Sequence, residues 1–147
     1  MKRTLLAGVA GLAVMVAGSA HAQDLTFPVG EGDFNWDSYN AFAEEHDLGG
    51  EQLTVFGPWL GPDQELVENV LAYFAEAANV DVRYTGSDSF EQQIVVDAEA
   101  GSAPNIAVFP QPGLAADMAS RGFLTPLGED TADWIRENYA AGQSWVD

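Results

Sequence analysis

Between Gln52 and Leu127 the spacing of apolar residues switches period three times in the same way. Short apolar runs at Leu53–Phe56, Val80–Tyr84 and Ile106–Phe109 read as strands. Each run gives way to a loop: Gly57-Pro58-Trp59-Leu60-Gly61, Thr85-Gly86-Ser87-Asp88-Ser89 and Pro110-Gln111-Pro112-Gly113. A stripe at three- and four-residue spacing then follows each loop. In the first helix it is Leu66, Val67, Val70, Leu71, Phe74 and Ala78, with Glu68, Asn69 and Glu76 on other faces. Pro62 suits the first helical position, and Asp63 and Glu65 suit the positive end of the helix dipole. The second helix starts at Asp88 or Ser89, where Asp88 to Glu91 and Ser89 to Gln92 have capping-box spacing. Its buried face is Phe90, Ile94, Val95 and Ala98; Gly101 stops it and Pro104 forbids a restart. The third, about Leu114–Ser120, carries Leu114, Ala115, Met118 and Ala119 and ends at Gly122.

Phe123–Leu127 then reads as an extended apolar piece. A further helix starts at Asp130 or Thr131, with Trp134, Ile135 and Tyr139 as core contacts and Gly142 as its end. Trp145-Val146-Asp147 opens something new. Residues 23–50 form an aromatic-rich arm with Phe27, Phe34, Trp36, Tyr39 and Phe42, which packs along the domain. It holds a short helix over Asp37–His46, capped by Asn35 and broken by Gly49-Gly50.

Strands joined by helices imply parallel neighbours and right-handed crossovers, hence an α/β fold with three parallel strands in the order two, one, three. The three loops then share the carboxyl edge of the sheet, where such folds bind ligands, and the first and third flank the topological switch point. Three loops on one edge make half of a binding cleft.

The N-terminus reads as a secretory signal: Lys2 and Arg3, the apolar run Leu5–Ala17, and Ala20-His21-Ala22, with the cut after Ala22. The run is shorter than the roughly 20 residues a membrane span needs. No cysteine follows it, so a lipid anchor is excluded. Losing residues 1–22 removes Lys2 and Arg3 and no acid, so the net charge moves from −18 to −20. That charge opposes nucleic acid and anionic membrane surfaces. With zero cysteines there is no disulfide framework, and stability rests on a buried core.

Catalytic chemistry finds little support. His46 is the one histidine after signal removal, it lies in the charged run Glu44-Glu45-His46-Asp47, and no G-x-S-x-G elbow occurs. Acids are too abundant for any glycosidase-like pair to stand out. Asp33 and Asp37 lack calcium-loop spacing, and no phosphate-cradling loop is present. No cofactor or metal is expected. A neutral sugar suits the loops better, since sugars want an aromatic face and planar polar groups that fix hydroxyl directions. Trp59 supplies a face, Asp88 accepts hydroxyl hydrogen bonds, and Gln111 donates and accepts. Each has a structural alternative: Trp59 as a cover for the sheet edge, Asp88 as a helix cap, and Gln111 as a loop residue held rigid by two prolines.

Gly101-Ser102-Ala103-Pro104-Asn105-Ile106 and Leu114-Ala115…Met118-Ala119-Ser120-Arg121-Gly122-Phe123-Leu124-Thr125-Pro126-Leu127 resemble extracellular solute-binding proteins of ABC transporters, maltose type. A closer resemblance is to α-glucoside-binding members, through Gly30-Glu31-Gly32-Asp33-Phe34-Asn35-Trp36, Thr54-Val55-Phe56-Gly57-Pro58-Trp59, Phe90-Glu91-Gln92-Gln93-Ile94-Val95, Phe109-Pro110-Gln111-Pro112-Gly113 and Tyr139-Ala140-Ala141-Gly142-Gln143-Ser144-Trp145-Val146-Asp147. Asn105 departs from the aspartate usual in that family. The resemblance implies a periplasmic-binding-protein-like fold of two hinged lobes that close on a sugar, without catalysis. Residues 51–147 would then be a partial N-terminal lobe, the second lobe would be missing, and the chain is expected to be an N-terminal fragment or a truncated gene. It further implies a periplasmic location, an oligosaccharide or α-glucoside ligand, and ABC permease membrane subunits as partners. Candidate ligand-binding residues are Trp59, Asp88 and Gln111, joined by Ser89 and Trp36. Residues 23–147 alone are expected to fold marginally and to bind sugar weakly. The competing readings are a secreted carbohydrate-active enzyme and a free-standing flavodoxin-like domain.

Overall fold

A computed structural model describes residues 25–140. The signal sequence, the expected helix end at Gly142 and Trp145-Val146-Asp147 lie outside the described residues. The elements run α1 (Trp36–Glu45), β1 (Gln52–Gly57), α2 (Pro62–Ala77), β2 (Asp81–Gly86), α3 (Phe90–Ala100), β3 (Ile106–Ala107), α4 (Pro112–Ser120) and α5 (Glu129–Asn138). The sheet is parallel in the order β2-β1-β3, as the alternation of strands and helices predicts.

Adjacent residues of β1 serve opposite faces of the sheet, as strand geometry requires. Val55 packs with Ala78, Val80 and Val82, under Leu71 and Phe74 of α2 and Phe42 of α1. Phe56 packs with Phe90, Ile94 and Ala98 of α3 and Met118 of α4. Helices therefore cover both faces, which is what right-handed crossovers to either side of β1 produce. Phe90 anchors the second face, with its ring 4.9 Å from Phe56 and 5.5 Å from Phe109.

The predicted face of α3 holds: Phe90, Ile94 and Ala98 are buried and Val95 is half-buried. Gly101 ends the helix in the left-handed conformation, with Gly101 N–H donating to Ala98 and Ser102 N–H to Asp97. The α2 stripe is only partly right. Leu66 and Val70 are 64% and 70% exposed, and the buried residues are Ala72 and Ala77. The residues of α2 that pack on the sheet are Leu71, Phe74 and Ala75, with Ala78 just beyond the helix, so the later part of the expected stripe holds and its first turns face solvent.

β3 forms a ladder of two residues rather than four, although Val108 N–H still donates to Phe56 at 2.9 Å. Pro110 carries no donor, and β1 itself ends at Gly57, so the pairing has nowhere to continue. α4 begins at Pro112, two residues earlier than the apolar stripe implies, because proline suits the first helical turn. α5 departs most from expectation. Trp134 and Tyr139 are 55% and 56% exposed and meet edge to face at 5.9 Å, while Ile135 is half-buried. No described element covers the outer face of α5, so its aromatics meet solvent instead of a core.

In the arm, Asn35 caps α1 as expected, its Oδ1 accepting from Ser38 N–H at 3.1 Å. Tyr73 of α2 holds the arm by a two-sided contact: its hydroxyl accepts from Phe27 N–H at 2.8 Å and donates to Phe27 C=O at 2.9 Å. His46 closes α1, its ring 4.4 Å from Phe42.

Candidate functional site

The carboxyl ends of the three strands are laced together by backbone hydrogen bonds. Ser87 N–H donates to Gly57 C=O at 3.0 Å, and Val108 N–H donates to Phe56 C=O. Trp59 follows β1, Asp88 and Ser89 follow β2, and Gln111 follows β3. The structure therefore places these four candidates along one edge. Trp59 is half-buried, while Asp88, Ser89 and Gln111 are exposed. Trp36 sits elsewhere, in the first turn of α1. Its Nε1–H donates to Glu31 C=O at 2.9 Å, and its ring lies 6.1 Å from Tyr73, in the second half of α2.

Helices α2, α3 and α4 all begin at this edge, so their first-turn N–H groups converge there. Their capping residues are Gly61, Ser89 and Gln111, and none makes a side-chain cap hydrogen bond. The capping boxes anticipated for α3 are thus not formed. The Ser89 hydroxyl instead donates to Asp88 Oδ1 at 3.2 Å, and Ser89 N–H donates to Ser87 Oγ at 3.1 Å. Ser89 has φ −99° and ψ 21°, away from the extended backbone a capping serine uses. Uncapped N–H groups and an exposed carboxylate on one edge make donors and acceptors for hydroxyls.

One residue at this edge was read from the sequence only as part of a strand: Tyr84. Its hydroxyl accepts from Trp59 N–H at 3.0 Å and donates to Trp59 C=O at 3.2 Å. Its phenol pKa is raised, first by burial and then by the charge of Glu68, against the opposing effect of the Trp59 backbone bond. The signal available in sequence was the glycine pair that makes room for this contact. Gly57 and Gly86 stand opposite each other in the register. A Cβ on Gly86 would lie 1.9 Å from the Trp59 carbonyl oxygen, and one on Gly57 would lie 2.8 Å from Tyr84 Oη.

Charge disfavours an anionic ligand. The cationic side chains among the described residues are Arg83, Arg121 and Arg136. Arg83 pairs with Asp81 at 2.9 Å, Arg136 with Asp133 at 2.7 Å, and Arg121 with Glu99 and Asp117. Among the described residues no group of three or more His, Cys, Asp or Glu side chains could hold a metal, and no helix is long and apolar enough to cross a membrane.

A parallel α/β sheet with three loops at the carboxyl ends of its strands has the architecture in which open α/β folds take up ligands, and its relatives define the class. The chain belongs to the bacterial extracellular solute-binding protein family, whose model matches residues 57–146. It is 54% identical, over its whole length, to the alpha-glucosides-binding periplasmic protein AglE of Rhizobium meliloti (strain 1021). It is 43% identical, over 66% of its length, to the osmoprotective compounds-binding protein GgtB of Synechocystis sp. (strain ATCC 27184 / PCC 6803 / Kazusa). The matches cover 33% of AglE and 23% of GgtB, so the chain spans about a third or less of the curated relatives it matches. No solved structure matches it.

Proposed function

We propose that the chain is the N-terminal part of a periplasmic receptor for α-glucosides that serves an ABC-type uptake system. The observation that carries this reading is the 54% identity to AglE across the whole chain. Residues 1–22 are the export signal, residues 23–50 the arm, and residues 51–147 part of the first of two lobes. The work is capture without bond-making. Trp59 gives an apolar face to the sugar ring, Asp88 and Ser89 hold hydroxyls, and Gln111 donates and accepts at the third loop. Loops of a second lobe close over the ligand by hinge motion, and the closed form meets the membrane subunits. The sugar drives closure only as far as it binds the closed state better than the open one.

The test is calorimetry on the full reading frame through and beyond Asp147, against matched α- and β-glucosides. Binding of the α-anomers with at least about tenfold preference supports the reading, a difference of about 1.4 kcal/mol. Failure to bind any α-glucoside ends it. The name of GgtB favours a second reading, an osmoprotective compound as ligand, and such compounds belong in the same panel. Export is tested separately by N-terminal sequencing of periplasmic protein, with Gln23 expected first.

A further inference from the structure

We propose that Tyr84 is a positioning residue for the ligand-binding loop, its hydroxyl clasping the Trp59 backbone from both sides and fixing where the indole stands. This inference rests on the reading that Trp59 meets the ligand.

A phenolic hydroxyl has one proton to donate and lone pairs to accept with. Tyr84 spends both functions on a single residue 25 positions earlier in the chain. Trp59 lies between the end of β1 and the start of α2, where backbone groups would ordinarily turn to water. Here its N–H and C=O are both satisfied by a side chain rooted in a strand. That strand is well held. Tyr84 pairs with Val55 in the register, and its ring packs against the cluster of Val55, Ala78, Val80 and Val82. An aromatic side chain with two torsions, packed on one side, orders a loop at small entropic cost.

The surroundings admit this joint and no looser one. Gly86 lies beneath the Trp59 carbonyl with no room for a Cβ, and Gly57 meets the Tyr84 hydroxyl. Leu60 and Gln64 close the remaining space over Gly86. The Ser87 to Gly57 hydrogen bond ties the second loop into the same joint. The loops carrying Trp59 and Asp88 are thereby held in one fixed relation, which a site reading hydroxyl directions requires.

The packing of the ring is a separate matter from the clasp. Phenylalanine would keep the packing and lose only the hydroxyl, so the variant Tyr84→Phe separates the two. The proteins to compare are the full-length receptor and its Tyr84→Phe, Trp59→Ala and doubly substituted forms. The probe is the tightest-binding α-glucoside of the panel above. Tyr84→Phe should weaken binding about tenfold, the scale of one net hydrogen bond. The double variant should bind no worse than Trp59→Ala, because both changes act through the same indole. Hydrogen exchange on the unsubstituted protein adds a readout independent of how the variants fold: the Trp59 amide should be protected although it lies in a loop. If Trp59→Ala abolishes binding while Tyr84→Phe binds as the parent does, the positioning role falls and the site reading survives. If Trp59→Ala changes nothing, the site reading falls and this inference with it. A freely exchanging Trp59 amide overturns the clasp directly.

Discussion

Single atoms decide several features of this edge. Gly86 has a carbonyl oxygen where its Cβ would go, so Gly86→Ala must displace the Trp59 loop or the end of β2. We expect a loss of about 1–3 kcal/mol, the usual range for overpacking, seen as a lower Tm. Asn105 makes a different point. Its Oδ1 accepts from Thr54 N–H at 2.9 Å and from the Thr54 hydroxyl at 2.8 Å, while its own N–H donates to Thr54 Oγ1 at 3.0 Å. The side chain is used here purely as an acceptor, a role that a carboxylate fills equally well. Asn105→Asp should leave the Tm nearly unchanged at neutral pH. Asn105→Ala should cost about 1 kcal/mol. Tyr84 adds a pH dependence. Its folded-state pKa is raised above the ordinary tyrosine value of about 10, first by burial and against the Trp59 backbone bond, so the neutral phenol's contribution to stability is complete below that value. It is lost as pH climbs through the folded pKa, when the phenolate can no longer donate to Trp59 C=O and repels Glu68. Melting curves from pH 8 to 11.5 should fall more steeply for the parent than for Tyr84→Phe.

At the scale of elements, periodicity showed where helices and strands lie and was weaker on which side a helix is covered. The α3 face was legible because Phe90, Ile94 and Ala98 all point to one layer, between Phe56 and Met118. On α2 large and small apolar residues compete. The later stripe residues Leu71, Phe74 and Ala78 pack on the Val55 cluster as expected, while Leu66 and Val70 face solvent and Ala72 and Ala77 are buried off the stripe. Hydropathy alone does not show how far along a helix its cover extends. For α5 no described element covers the expected stripe, and Trp134 and Tyr139 meet each other edge to face instead. The loops of the candidate site were legible because they sit at strand ends. Tyr84 was not, since its role exists only in the register that sets Val55 beside it. The same asymmetry predicts mutational costs. Phe90→Ala should destabilise by about 3–5 kcal/mol in urea unfolding. Leu66→Gln should change stability by less than about 0.5 kcal/mol, because that side chain already faces solvent.

The whole described unit is a three-stranded sheet with both outer edges open, β2 on one side and β3 on the other. Apolar side chains stand exposed around it: Leu66, Val70, Val96, Leu127 and Trp134 on or beside helices, and Ile106 on the β3 edge itself. A sheet of this kind is marginal alone and prone to edge pairing. The edge proposed to take up a sugar is equally one-sided. Its loops can cover one face of a sugar and leave the other face to water, where the hydroxyls exchange protein hydrogen bonds for water at little net gain. Binding must also offset the lost freedom of the ligand, a cost that half a set of contacts does not overcome. In a two-lobed receptor the second lobe supplies the opposing contacts and excludes that water. Residues 23–147 alone should therefore bind an α-glucoside at least about 100-fold more weakly than the full reading frame does, a difference of about 2.7 kcal/mol. Calorimetry on both proteins side by side, with the same sugar and buffer, measures this ratio. A ratio near one would mean that this edge makes a complete site by itself, and capture by two closing lobes would have to be given up.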